Sequence, residues 1–301
     1  ECCSRYVFAT GVFYDGRVKV DVIINASSGA SAQLDAEGIL HTDLQHELQQ
    51  MLWAGDAEAT VHMAHSGDEI GELAQRAANS DAQIVVAGGG DGTINSVASA
   101  VVRTGKTLGV LPLGTLNHFA KDMNIPLGLA QAVETIINGQ TVKVDVGEFN
   151  GLIFLNNSSL GLYPSIVRER QKQERLGSGK WPAFIWAALA VLRRYPFLDI
   201  RLQVDGNALT ARTPFLFIGN NEYEMETLNV GARKALNAGE LSLYMTHRTG
   251  RLGLVRLAFK ALFGGLNQER DFLALTTEEL SIDTRKKRLR VALDGEITVV
   301  E

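Results

Sequence analysis

The sequence predicts an α/β domain built on a parallel sheet, followed by a domain of antiparallel strands. Two patterns carry this expectation. Up to about residue 140, short apolar runs alternate with segments of helical spacing. Beyond it, strand-like runs follow one another directly, several separated by Asn-Gly or Asp-Gly pairs. Strands that alternate with helices imply parallel pairing with helices on both faces. Asn-Gly and Asp-Gly accept the positive φ angles of a two-residue hairpin loop, and so imply antiparallel neighbours.

The elements follow in order. Val20–Asn25 reads as a short apolar strand, closed by the small residues Ala26 to Ala30. In Leu34 to Trp53, residues Leu40, Leu44, Leu48, Met51 and Leu52 share one helical face. Thr60–Met63 is a second strand and Gly67–Asn79 a helix. Ile84–Ala87 is a buried strand that runs straight into glycines, Thr93–Arg103 is helical, and Leu108–Leu111 is a strand ended by Pro112. In the second half, strands are predicted at Lys143–Phe149, Gly151–Asn156, Asp199–Val204, Ala208–Thr213, Pro214–Gly219, Leu241–Thr246, Phe272–Thr276, Glu279–Asp283 and Arg288–Leu293. Helices at Pro182–Tyr195 and Leu252–Phe263 interrupt them. The domain boundaries are 18–142 and 143–295, with residues 296–301 free to return to the first domain. Residues 1–17 are expected outside the folded unit.

A chain of 301 residues can bury two cores. Its net charge of −5 argues against nucleic acid as a partner, so an anionic ligand must be held by local features. The two cysteines, Cys2 and Cys3, are adjacent, have no other partner and point to a reducing compartment, the cytoplasm. The longest apolar run, Trp181–Leu192, is about a dozen residues against the ~20 of a membrane span, and reads as a buried or interfacial helix. The histidines His41, His46, His62, His65, His118 and His247 show no zinc spacing.

The strongest local signal is Gly88-Gly89-Gly90-Asp91-Gly92-Thr93-Ile94-Asn95, directly after a strand and opening a helix. Glycines let the backbone approach phosphate oxygens, and the free N–H groups of a helix start supply donors and partial positive charge. The pattern is neither a Walker A loop nor a GxGxxG fingerprint. Asp91 is placed to reach a phosphate-bound Mg2+, directly or through water. The alternative is a plain tight turn between strand and helix. A second loop, Leu111-Pro112-Leu113-Gly114-Thr115-Leu116-Asn117, also follows a strand. Loops at the carboxyl ends of parallel strands converge, so Thr115 and Asn117 could hydrogen-bond the same nucleotide from the opposite side.

Together these two loops resemble the diacylglycerol kinase catalytic family, which includes bacterial lipid kinases and the sphingosine and ceramide kinases. Asn25–Gly29, Gly219-Asn220-Asn221 and Leu293-Asp294-Gly295-Glu296 extend the resemblance over roughly residues 20–300. It implies a phosphofructokinase- and NAD kinase-like ATP-binding domain, a β-sandwich domain, and an active site in the cleft between them. It also implies that Asn25, Gly89, Gly90, Asp91, Gly92, Thr93, Ile94, Asn95 and Thr115 hold ATP. Glu296, with Asp294 beside it, would be the general base or its electrostatic support. The resemblance further implies Mg2+, a diacylglycerol-like lipid substrate and a homodimer. Three departures stand out. Ser27 replaces a common lysine and His118 a common aspartate. Leu236-Asn237-Ala238-Gly239 lacks the aspartate that holds a structural Mg2+, leaving Asn237 and Glu240 for that ion.

Arg168, Arg170, Lys172, Arg175 and Lys180 precede Trp181 and Trp186, which suits peripheral contact with the anionic inner face of a membrane and equally a solvated loop beside a core helix. Leu252–Phe263, with Arg256 and Lys260, fits core packing better than a membrane surface. Arg285 to Arg288 reads as an exposed hairpin turn. Two rival functions are NAD kinase, which shares the Gly-Gly-Asp-Gly element, and a catalytically silent nucleotide- or lipid-binding protein, motivated by Ser27, His118 and Asn237.

Overall fold

A computed structural model describes residues 17–28, 41–161, 197–204, 206–223, 233, 235–246, 272–285 and 288–300. Cys2 and Cys3, Gly29, the basic and apolar stretch Arg168 to Leu192, the segment Leu252–Phe263, and residues Lys286 and Lys287 lie outside the described residues. The chain divides between Val144 and Asp145 into two compact units.

The N-terminal unit contains β1 (Val18–Asn25), α1 (His41–Ala54), β2 (Ala57–Ala64), α2 (Gly67–Ala78), β3 (Ile84–Gly89), α3 (Asp91–Val101), β4 (Thr107–Pro112), α4 (His118–Asp122) and α5 (Leu129–Asn138). Four parallel strands run in the order β2-β1-β3-β4. Alternation along β1 decides which helix covers which face. Val20, Val22 and Ile24 join Leu44, Leu48 and Leu52 of α1 and Ala132 and Val133 of α5 in one core. Helices α2 and α3 pack together, with α3 against β3 and α2 against β1. The helix α5 lies outside the elements expected from the sequence, and its buried Ala132 and Val133 anchor it.

The order 2-1-3-4 has a physical consequence. From β1 the chain moves outward to β2, and from β3 it moves outward on the opposite side to β4. The connections therefore part above the carboxyl ends of β1 and β3, opening a crevice at that switch point. Asn25 ends β1 and Gly88–Gly90 end β3.

The C-terminal unit holds β5 (Gly147–Phe149), β6 (Leu152–Phe154), β7 (Asn157–Gly161), β8 (Leu198–Val204), β9 (Asn207–Thr213), β10 (Phe215–Asn220), β11 (Leu241–Thr246), β12 (Phe272–Thr277), β13 (Leu280–Thr284), β14 (Leu289–Leu293) and β15 (Glu296–Val300). A six-stranded antiparallel sheet, β12-β11-β10-β7-β14-β15, and a three-stranded sheet, β13-β8-β9, share one core. Leu160, Leu216, Ile218, Leu243 and Val291 of the first meet Leu198, Ile200, Leu202 and Leu280 of the second, forming a β-sandwich. Asn150-Gly151 turns β5 into β6 with positive φ at both residues, 49° and 84°. Of the predicted strand Lys143–Phe149, Gly147–Phe149 pairs with β6, Val146 makes a single bridge and Lys143 to Asp145 have no strand pairing. The polar run Asn157-Ser158-Ser159, outside the predicted strands, is the start of the central strand β7, flanked by β10 and β14. Residues Glu296–Val300 pair with β14 at the edge of this sheet.

Candidate active site

In the N-terminal unit the two glycine loops meet at the crevice. They are joined where β3 and β4 end, as Leu113 donates its N–H to the Gly89 carbonyl at 3.1 Å. A Cβ on Gly114 would overlap Gly90 Cα and lie 2.7 Å from Asn117 Oδ1. A Cβ on Gly89 would lie 2.6 Å from that of Thr93. Glycine is thus required at Gly114 by the close approach of the Gly90 backbone and at Gly89 by the Thr93 side chain, before any ligand is considered. Helix α3 starts at Asp91, two residues earlier than the sequence suggested, with Gly90 as an N-cap that carries no side chain. The early N–H groups of a helix have no intrahelical partner, so this start presents amides to a ligand.

Asn25 closes the other side. Its Nδ2 donates to Thr93 Oγ1 at 3.2 Å, and its Oδ1 accepts the Ser27 N–H at 2.9 Å. This links the carboxyl end of β1 to the first turn of α3. Asp91 does more than face phosphate. Its two oxygens accept the N–H groups of His118 and Phe119, at 3.2 and 3.0 Å, and so cap α4 from the other loop. An N-cap of this kind stabilises by about 1 kcal/mol. Asp91 is half-buried, and each oxygen keeps one lone pair beyond these bonds.

Other expected nucleotide contacts are placed differently. Asn117 is 5% exposed in a left-handed conformation, φ 51°. Its Nδ2 donates to the carbonyls of Pro112 and Gly114, and its Oδ1 accepts the Gly114 N–H. These bonds use its amide to shape the loop and leave it no donor for a nucleotide. Ile94 is fully buried and its N–H goes to the Gly90 carbonyl, so it serves the core. Asn95, further along α3, accepts from Ser99 Oγ at 3.2 Å. Thr115 and His118 are exposed on either side of the buried Asn117.

The C-terminal unit carries the Asp-Gly-Glu element. Asp294 and Gly295 form the two-residue loop between β14 and β15, with φ of 48° and 87°, a type I′ hairpin. The Asp294 carboxylate accepts N–H groups from Leu155, Asn156 and Asn157 at 2.7, 2.8 and 2.9 Å. Its own N–H donates to the Asn157 carbonyl. Asp294 is therefore a clasp on the bend between β6 and β7. One oxygen accepts two of these amides and the other accepts one, so the hairpin loop is bound to the bend through this carboxylate. Glu296, the next residue but one, is exposed at the start of β15.

Arg233 was not anticipated. Its Nη1 donates to the Leu155 carbonyl at 2.7 Å and its Nη2 to Asn156 Oδ1 at 3.3 Å, gripping the same bend. Asn220, fully buried, donates to the carbonyls of Asp145 and Leu155, which explains the Gly-Asn-Asn element as an internal tie.

Burial pushes Asp294 up to about 6, against the opposing pull of the three amides and Arg233. The sign follows from linkage. With its folded pKa above the ordinary value, the folded state binds the extra proton between about pH 4 and pH 6. This group's contribution to stability is full below that window and is lost as pH rises through it. Melting curves across pH 4–7 are expected to show this slope in the wild type and lose it in Asp294→Asn.

For the structural metal the donor set does not fit. Asn237 is exposed, and Glu240 is only half-buried, its main-chain carbonyl accepting the Asn221 N–H at 2.8 Å. Among the described residues no group of three or more His, Cys, Asp or Glu side chains gathers to hold a metal ion.

The fold and site define a two-unit protein: a doubly wound α/β unit with paired glycine loops at its switch point, and a β-sandwich carrying an Asp-Gly-Glu hairpin. Residues 19–149 match the diacylglycerol kinase catalytic domain. A diacylglycerol kinase of Staphylococcus carnosus is 27% identical over 205 residues, covering 67% of this chain and 64% of the relative. One from Staphylococcus aureus is 29% identical over 161 residues, 52% of this chain and 51% of the relative. The chain thus spans between half and two thirds of the curated relatives it matches. Among solved structures, a candidate diacylglycerol kinase from Bacillus anthracis superposes with a TM-score of 0.66 at 23% identity, covering 94% of both chains. A Bacillus anthracis diacylglycerol kinase gives 0.63 at 20% identity, covering 93% of this chain and 90% of the other. At these identities the structures support the shared fold.

Proposed function

We propose that the chain is an ATP-dependent lipid kinase that phosphorylates the hydroxyl of diacylglycerol or a related amphiphile. The observation that carries this reading is the contact of the two glycine loops at the switch point, with an uncapped helix start between them. That cradle fits a chain of phosphates: close backbone, exposed amides and no side chain in the way. ATP supplies the phosphoryl group, and Mg2+ offsets its charge. The amides at the start of α3 and Asn25 with Thr93 would hold the phosphates, and Thr115 would contact the nucleotide from the second loop. The free lone pairs of Asp91 would reach Mg2+ or its water. With His118 in place of the aspartate that the resemblance implies, one metal or nucleotide contact would be lost.

In the transfer step Glu296 accepts the proton of the lipid hydroxyl as the oxygen attacks the γ-phosphorus. The bond from that phosphorus to the bridging oxygen breaks, and ADP leaves with the electron pair. Asp294 and Arg233 support the step by fixing the bend and hairpin on which Glu296 sits. Among the described residues no helix is long and apolar enough to cross a membrane. The lipid would be met by peripheral contact at an anionic surface on the cytoplasmic side, and a homodimer is the expected assembly.

The test is transfer from labelled ATP with Mg2+ to diacylglycerol, monoacylglycerol, ceramide and sphingosine in mixed micelles, with NAD as a soluble acceptor. A labelled lipid is the expected product and identifies the acceptor. Label on NAD alone would overturn the lipid assignment. Transfer to nothing would leave a protein that binds nucleotide or lipid without catalysis.

A further inference from the structure

The segment Leu236–Glu240, where the resemblance implies a structural divalent ion, is tied to the rest of the C-terminal unit by hydrogen bonds. Asp145 is 4% exposed, and one of its carboxylate oxygens accepts the Gly239 N–H. Its own N–H donates to the Leu236 carbonyl at 2.7 Å. Asn221, fully buried with φ 69°, accepts the Ala238 N–H on Oδ1 at 3.1 Å. Its main-chain N–H donates to the Glu240 carbonyl. The loop is thus held at Leu236, Ala238, Gly239 and Glu240 by two residues from distant parts of the chain.

The polarity of these bonds decides what the loop can accommodate. Two of them aim backbone N–H groups at the Asp145 and Asn221 oxygens. A divalent cation needs six or more oxygen ligands and would be repelled by N–H dipoles directed at the same atoms. The residue at the expected ligand position, Asn237, is exposed and uncharged at neutral pH. We propose that in this chain a hydrogen-bonded clasp, built from Asp145 and Asn221, replaces the structural metal, so the β-sandwich folds and holds this loop without a divalent ion.

The experiment is thermal unfolding of the full chain without nucleotide, in excess EDTA and again in excess Mg2+, for wild type, Asp145→Ala and Asp145→Asn. Wild type is expected to melt within about 1 °C under both conditions, whereas Asp145→Ala, which strands a buried amide, melts roughly 5 °C lower in each. Asp145→Asn keeps a carbonyl acceptor for Gly239 and is expected to fall between them, again with no response to Mg2+. It decides the matter if the alanine variant does not fold. A wild-type Tm that falls by roughly 5 °C in EDTA and recovers with Mg2+, with that response lost in Asp145→Asn, would overturn the proposal. No outcome depends on kinase activity, so this reading and the lipid kinase reading fail separately.

Discussion

Glu296→Gln is expected to lower kcat for phosphoryl transfer by about 10²- to 10⁴-fold, the usual contribution of a positioned general base. The change keeps size and hydrogen-bonding shape but removes the proton acceptor. Glu296 is exposed at the start of β15, and its neighbour Leu293 across the hairpin is held by core packing. The melting temperature should therefore stay within about 1 °C of wild type, as for other surface substitutions. ATP affinity should also be unchanged, because the phosphate cradle belongs to the other unit. Steady-state kinetics on the preferred lipid with a parallel nucleotide titration make the comparison. A variant retaining more than roughly a tenth of wild-type kcat, well outside that range, would place the base elsewhere.

Gly114→Ala is expected to weaken nucleotide binding by about 10- to 100-fold, the equivalent of roughly 1–3 kcal/mol of overpacking. The new methyl group would press on Gly90 Cα and on Asn117 Oδ1, where backbone cannot give way without separating the loops. Two arrangements fail together. Gly90 moves from the start of α3, and the Asn117 amide that folds the second loop loses its Gly114 partner. Asp91, which caps α4 across the same contact, is pulled with it. Titration with a fluorescent ATP analogue measures the change, and affinity within twofold of wild type would count against the cradle.

Much of the architecture was legible because it is encoded locally. Apolar runs of strand length ending in glycine, and helical spacing between them, are short-range patterns. They marked β1 to β4, α2 and α3 to within a few residues and the C-terminal end of α1 to within one, while the start read for α1, Leu34, lies outside the described residues. Asn150-Gly151 and Asp294-Gly295 could be read as hairpin turns because positive φ is a property of the residue type. Gly89 and Gly114 stood out as glycines following strands, and a Cβ at either would overlap its neighbours. The strand Asn157–Gly161 could not be read this way. Its asparagine and serines carry no strand signature, and Ser158 and Ser159 are buried only because β10 and β14 close on both sides.

Residue type and loop position marked Asp91 and Asn117, and the resemblance marked Asp294 and Asn220, but neither shows which partners take their polar atoms. A carboxylate can bind a metal, accept a proton or hold amides, and its chemistry alone does not choose. For Asp294 the choice is made by three amides some 140 positions away. For Asn117 it is made by the curl of its own loop, which turns every polar atom of the amide inward. Arg233 and Asp145 had little or nothing in the sequence to mark what they do, because the groups they hold come together only when the sandwich closes. Composition and local pattern specify which segments become strands, helices and turns. Long-range packing then assigns each polar side chain its partner, since buried hydrogen-bonding groups must be satisfied by whatever the fold brings within reach.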